Sequence, residues 1–315
     1  MGAGRCVCDP EQTPWHGVFW DSVIQTSVAK LAGMIEREPS RTAFAAATYR
    51  AAHQVLEAGR IFSDPLAVPI LGGEADHILA APERHQAQRG IRFFVVARSK
   101  LAEDELTCAV ETRGVGQVVV LGAGLDTFSY RHPFGDRLKV FEVDHPATQA
   151  WKHRRLREAG IRVPKTLTYV PVDFERDNLS EQLARAGLDP SVRTYFLWLG
   201  VVPYLTLEAI TSTLSYIAGH PGGSEVAFDY GEPRDAIDPA LREQYEQRAA
   251  RVAAAGEPFL SFFIPAQLQA LLPKLGFDQI VDLDLPAILA RLFGDLGSST
   301  PVSRGGGHVL FAATP

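Results

Sequence analysis

The 315-residue chain is poor in cysteine, with three, and in methionine, with two. Three cysteines cannot build a disulfide framework. Cys6-Val7-Cys8 has no partner Cys or His pair at zinc spacing, so it reads as two thiols in an N-terminal tail rather than a metal site. There is no uninterrupted apolar run of about 18 residues, hence no predicted membrane span. Met1–Pro14 lacks a basic stretch followed by an apolar core, so no secretory signal is read there. These absences together predict a cytoplasmic protein. Excess positive charge is missing as well: 31 Lys and Arg stand against 37 Asp and Glu, a net charge of −6. A dedicated nucleic-acid binder needs a clustered basic face and is thereby disfavoured. Apolar residues at 46% and charged residues at 22% exclude a disordered chain, a collagen-like fibre and a coiled coil.

What is present reads as two textures after a weakly patterned extension, residues 1–40. Over 41–113 the chain is helical: Arg41–Ala58, stopped by Gly59, and Ile91–Val110, with the turn Ile61–Pro65 between them. From 114 to 315 short apolar, β-branched runs alternate with helices. Strands are predicted at Gln117–Leu121, Leu138–Val143, Thr168–Val172, Thr194–Leu199 and Glu225–Tyr230, with late ones at Ile280–Val281 and Val309–Ala312. Helices are predicted at Gln149–Ala159, Leu207–Ala218 (capped by Thr206) and Pro265–Leu275 (ended by Gly276); Ser303–Gly307 reads as a flexible approach to the last strand. Apolar strands alternating with helices imply an α/β fold with a mostly parallel sheet covered on both faces.

The first strand runs into Gly122-Ala123-Gly124-Leu125-Asp126-Thr127. Glycines there allow a sharp turn and close approach of a ligand to the backbone. The second strand ends in Glu142-Val143-Asp144, and Asp144 lies 22 residues past Gly122, where an acid can accept from both ribose hydroxyls. The plainer alternative for Asp144 is a solvated strand end or a helix cap. A dinucleotide fingerprint needs a third glycine where Thr127 stands, and Asp126 would repel a pyrophosphate. Both features suit S-adenosylmethionine, which carries cationic groups and no phosphate. Arg98 is then a candidate for its carboxylate, and Asp173 with Phe174 for its adenine. Tyr204 follows the fourth strand and is a candidate to line an acceptor pocket, with the aromatic stretch Phe259–Phe263. His53, His145 and His308 are conceivable bases, but nothing local assigns the role, and the catalytic residues stay unknown.

These segments, with Tyr130-Arg131, His145-Pro146, Lys152, Tyr169–Phe174, Trp198-Leu199-Gly200-Val201 and Tyr204-Leu205-Thr206, resemble the leucine carboxyl methyltransferase family, most closely its bacterial branch that includes polyketide O-methyltransferases. Thr42-Ala43, Arg50-Ala51 and Phe62-Ser63-Asp64-Pro65 echo it more weakly. The resemblance implies a class I methyltransferase (Rossmann-like) sheet of seven strands, the last antiparallel, with a helical N-terminal cap. It also implies S-adenosylmethionine contacts at Arg98, Gly122, Asp144, Asp173 and Phe174, and methylation of a small-molecule acceptor, polyketide-like and carboxylate for preference. One position departs: the family's Trp-Glu-Gly is Trp198-Leu199-Gly200. Losing a charged partner in a partly buried site costs about 1.5–3 kcal/mol, roughly ten- to a hundredfold in affinity. That leaves open a relative that keeps the fold without methylating.

Overall fold

The computed structural model describes residues 40–76, 80, 88–174, 176–294 and 306–315. Cys6, Cys8, the rest of residues 1–39, and Ser303–Gly305 lie outside them.

Strands form where apolar and β-branched side chains can be buried on both pleat faces. β1 (Gln117–Leu121), β2 (Lys139–Asp144), β3 (Leu167–Pro171), β4 (Thr194–Trp198), β5 (Ser224–Gly231), β6 (Gln279–Leu283) and β7 (Gly307–Ala313) make one sheet in the order β3-β2-β1-β4-β5-β7-β6. The first five pair in parallel, while β7 runs antiparallel to both neighbours. This is the seven-stranded, mostly parallel arrangement that the family resemblance implies. Because side chains alternate across a strand, Val119 and Leu121 of β1 enter one apolar layer and Val118 and Val120 the other.

Helices cover both faces. α5 (Leu179–Arg185), α6 (Leu207–Ala218) and α8 (Pro265–Leu275) pack on the first layer through Leu183, Ile210, Leu214 and Leu272. α2 (Arg89–Thr112) and α9 (Leu285–Phe293) cover the second through Leu101, Leu106 and Ile288. A third cluster joins α1 (Arg41–Leu56) to α4 (Pro146–Glu158) through Ala47, Ala51 and Trp151, with Leu125 from the turn after β1. The short helix α3 is Phe128–Arg131.

Several ends follow local chemistry. Thr206 accepts from the Ala209 N–H at 3.2 Å and starts α6. α8 ends at Gly276, which takes a left-handed φ of 113°. α4 begins three residues earlier than the sequence predicts, because Pro146 suits the first helical position and His145 caps it by accepting from the Ala147 N–H. α7 (Pro239–Ala254) went unpredicted: it contains no buried residue, so it shows no apolar stripe to read.

Candidate active site

In this topology β1 leads outward to β2 while β4 lies on its other side. The carboxyl ends of β1 and β4 therefore border the crevice where open α/β sheets bind ligands. Gly122-Ala123-Gly124 sits there. The Gly122 and Ala123 N–H groups donate to the Val143 carbonyl at 2.8 and 3.1 Å, and the Gly124 N–H donates to Asp144 Oδ2 at 2.5 Å. Asp144 Oδ1 accepts from the His145 N–H at 2.6 Å. Each carboxylate oxygen thus keeps a lone pair for another donor. Burial pushes the Asp144 carboxyl above its ordinary range, against the pull of these two N–H groups.

The glycines have a reason the sequence did not show. Gly122 has φ +65°, and a Cβ built on it would lie 2.3 Å from Cγ2 of Val201, beyond β4; at Gly124, with φ +44°, it would lie 2.8 Å from Cβ of Ala43 on α1. The close approach is therefore between protein segments. Gly122→Ala should destabilise the fold by roughly 2–4 kcal/mol, combining a left-handed alanine with overpacking against Val201. Urea unfolding would measure it, and an unchanged midpoint would refute the packing argument.

Arg98, on α2, is buried, and its Nη1 donates to Asp229 Oδ2 at 2.6 Å. Asp229 Oδ1 accepts from the Gly200 N–H at 2.5 Å, and the guanidinium rests on Gly200, where a Cβ would come within 2.6 Å of Nη2. The buried Nε of Arg98 has no partner. Sequence reasoning missed Asp229; the signal was an acid set between the apolar Val226–Phe228 and Tyr230 of β5.

Asp126 does not stand open. Its Oδ2 accepts from Arg50 Nη1 at 3.0 Å and its Oδ1 from the Phe128 N–H at 2.7 Å. Burial pushes its pKa up, but Arg50, Arg131 and Lys152 outweigh it and hold the carboxyl below its ordinary value. Arg50 also approaches Asp64 at 3.4 Å, and Arg131 bridges Asp64 and Glu103. Three acids and two arginines thus share this cluster. Glu103 is pushed up to about 7 by burial, against Arg131. Leu199 lines one small cavity with Gly122, Asp126 and Glu103.

The Val172 N–H donates to the Asp144 carbonyl at 2.9 Å, which brings the segment after β3 beside Asp144. In it, Asp173 lies 3.6 Å from Arg176, and Phe174 is half-buried against the first core layer. Tyr204 stands in a short 3-10 turn, Val202–Tyr204, with its ring 5.4 Å from Phe259; burial pushes its hydroxyl up to about 12. Glu257 accepts from the Arg41 and Thr42 N–H groups at 2.9 and 3.0 Å, which ties the start of α1 to the segment before Phe259.

The three histidines serve structure. His53 Nε2 faces the Ile61 and Phe62 N–H groups, His145 caps α4, and His308 lies between Asp282 and Glu232. Among the described residues no group of three His, Cys, Asp or Glu could hold a metal ion, and no helix is long and apolar enough to cross a membrane.

The residues present fit a nucleoside with a cationic arm: Asp144 has acceptor capacity left, Arg98 has an unpartnered buried donor, and acids outnumber arginines beside the turn.

Comparison with known proteins bears on the same segments. Residues 43–218 match the family described as leucine carboxyl methyltransferase. A Bacillus subtilis protein named "Putative S-adenosyl-L-methionine-dependent methyltransferase YktD" is 39% identical over 165 residues, 52% of this chain and 54% of that one, so the match spans about half its length. A protein of Mycolicibacterium paratuberculosis, named "Putative S-adenosyl-L-methionine-dependent methyltransferase", is 31% identical over 228 residues, 67% of this chain and 69% of that one. The crystal structure of a "putative methyltransferase" from Thermobifida fusca shares the fold at 16% identity, with a TM-score of 0.53 over 88% of this chain and 95% of that one. With its family segment covering more than half of its length, the chain belongs to the leucine carboxyl methyltransferase family.

Proposed function

We propose that this protein is an S-adenosylmethionine-dependent O-methyltransferase of a small-molecule acceptor, a carboxylate for preference. The observation that carries the reading is the pairing of Asp144 with the Gly124 N–H beside a surplus of acid. Such a crevice repels a pyrophosphate and suits a cationic nucleoside. The family supports the methyl transfer itself, since relatives at 39% and 31% identity are named S-adenosyl-L-methionine-dependent methyltransferases.

When bound, S-adenosylmethionine supplies a methyl group made electrophilic by its sulfonium. The protein's part is then positional. Asp144 accepts from the ribose hydroxyls, Arg98 donates to the amino-acid carboxylate, and Asp173 with Phe174 flanks the adenine. Gly122, Ala123, Gly124 and Asp126 form the wall behind the cationic arm. Tyr204 lines the acceptor side and helps exclude water. A carboxylate acceptor is ionised at neutral pH and needs no general base, which agrees with histidines engaged elsewhere. The test is transfer of isotope-labelled methyl to a panel of aryl and long-chain carboxylic acids, beside calorimetry with S-adenosylhomocysteine. No affinity for that product would overturn the reading; affinity without any transfer would favour a relative that keeps the fold but does not methylate.

Leu199 gives a second handle. Its cavity already holds Glu103 and Asp126, so a third carboxylate there would face like charge. Leu199→Glu should lose about 1–3 kcal/mol of stability and should not tighten S-adenosylhomocysteine binding. A tenfold gain in affinity, read by calorimetry, would show instead that the site lacks an acid.

A further inference from the structure

Among the described residues Arg248 is a cation without a paired anion. It lies on α7, yet its Nε is shielded from solvent and meets no acceptor. Among the described residues no carboxylate pairs with it; the neighbouring charge on its own helix is another cation, Arg251. Its guanidinium carbon lies 5.6 Å from the ring centroid of Tyr245 and 5.7 Å from that of Phe259, within cation–π range. Burial pulls its pKa down, so the charged form is short of compensation.

The surroundings are aromatic and fixed. Phe259 contacts Tyr204 at 5.4 Å and Tyr245 at 6.4 Å between centroids. The Leu260 N–H donates to the Pro203 carbonyl at 2.7 Å, and the Ser261 hydroxyl donates to the Leu205 carbonyl. The aromatic segment is thus fastened to the turn that carries Tyr204. The Phe263 N–H donates to the Gly231 carbonyl at 3.0 Å, so the aromatic segment also runs beside the end of β5, the strand that carries Asp229. Glu257, the acid within reach of this region, is committed to the first N–H groups of α1.

We infer that Arg248 recognises the acceptor, taking the carboxylate of an aryl or long-chain carboxylic acid whose apolar body lies against Tyr204, Tyr245 and Phe259. This rests on the methyl-transfer reading above and names its substrate class. A guanidinium whose Nη groups are open offers a carboxylate two parallel N–H donors, and aromatic faces suit an apolar body. In the transfer, a carboxylate oxygen forms the new bond to the methyl carbon and the carbon–sulfur bond breaks, leaving its electron pair on sulfur. The acceptor's negative charge and the donor's positive charge disappear together, and no proton moves. The ester is neutral, so Arg248 loses its partner and product release is favoured.

The experiment is calorimetry on the full chain saturated with S-adenosylhomocysteine, with 2-naphthoate, decanoate and their methyl esters as probes. At least one acid should bind the wild type roughly ten- to a hundredfold more tightly than its ester. Arg248→Gln should abolish that preference and leave ester and S-adenosylhomocysteine affinities unchanged, while Arg248→Lys should keep part of it. Unchanged S-adenosylhomocysteine affinity also certifies that each variant is folded. Equal binding of acids and esters by the wild type, no binding of either acid, or an acid preference that survives Arg248→Gln would overturn the inference. Failure of the wild type to bind S-adenosylhomocysteine would instead strike the underlying functional reading.

Discussion

Asp144→Ala should weaken S-adenosylmethionine binding by at least about a hundredfold. Two charge-assisted hydrogen bonds to ribose hydroxyls are worth about 1.5–3 kcal/mol each, and both would go with the carboxylate. The loss has a second source. Asp144 Oδ2 holds the Gly124 N–H and Oδ1 holds the His145 N–H, so the same side chain fastens the glycine turn to the start of α4. Asp144→Asn is the informative companion: its single carbonyl oxygen can keep one of these bonds but cannot serve two backbone donors and two hydroxyls. Its affinity should fall between wild type and alanine. Calorimetry with S-adenosylhomocysteine measures both; wild-type affinity in the alanine variant would remove Asp144 from the ribose site.

The largest stability effect is expected at Lys152→Met. Lys152 Nζ lies 2.7 Å from Glu142 Oε2, and both side chains are 1% exposed. Glu142 also accepts from the Ser129 hydroxyl at 2.6 Å. Removing one member of a buried pair leaves the other charge uncompensated, typically at a cost of about 3–5 kcal/mol. For a chain of this size that is a fall of roughly 10 °C in melting temperature. The pH dependence distinguishes this cause from lost packing. Burial already pushes the Glu142 carboxyl above its ordinary value against the pull of Lys152 and Ser129, so without Lys152 it rises further. The native state then binds a proton that the unfolded chain has released, and stability falls as pH rises above the unfolded carboxylate range. The gap between wild type and Lys152→Met should therefore widen from about pH 5 to pH 8. A gap independent of pH would point to packing alone.

Much of the fold could be read locally. β1 was bounded correctly because its apolar run ends in a glycine turn, and α6 and α8 because a cap and a glycine mark their ends. Where the local signal is weak, reading failed. α7 has no buried face, and the early start of α4 depends on a proline that also fits a loop. For the site, the glycine turn and Asp144 were legible as a pair, and the structure joins them by a hydrogen bond.

Other parts were beyond reach from sequence. By sequence Asp126 is free to face a cation; in the fold Arg50, 76 positions away, holds it. By sequence Arg98 is an open donor; in the fold Asp229, 131 positions on, pairs with it. By sequence Gly122 makes room for a ligand; in the fold Val201 fills the space.

The sequence by itself thus determined the alternation of strands and helices, the glycine turn, the acid at the end of β2 and the family. Each depends on residues adjacent along the chain or on short spacings, where backbone sterics and side-chain period decide the outcome. Only the tertiary structure decided which charges are paired and which remain open. That depends on strand order: the chain crosses back over the sheet to lay β4 beside β1 and β5 beside β4, which brings Asp229 to Arg98 and Val201 to Gly122. The tertiary structure likewise sets Tyr204 against Phe259 and leaves Arg248 beside Tyr245 and Phe259 with no paired carboxylate among the described residues.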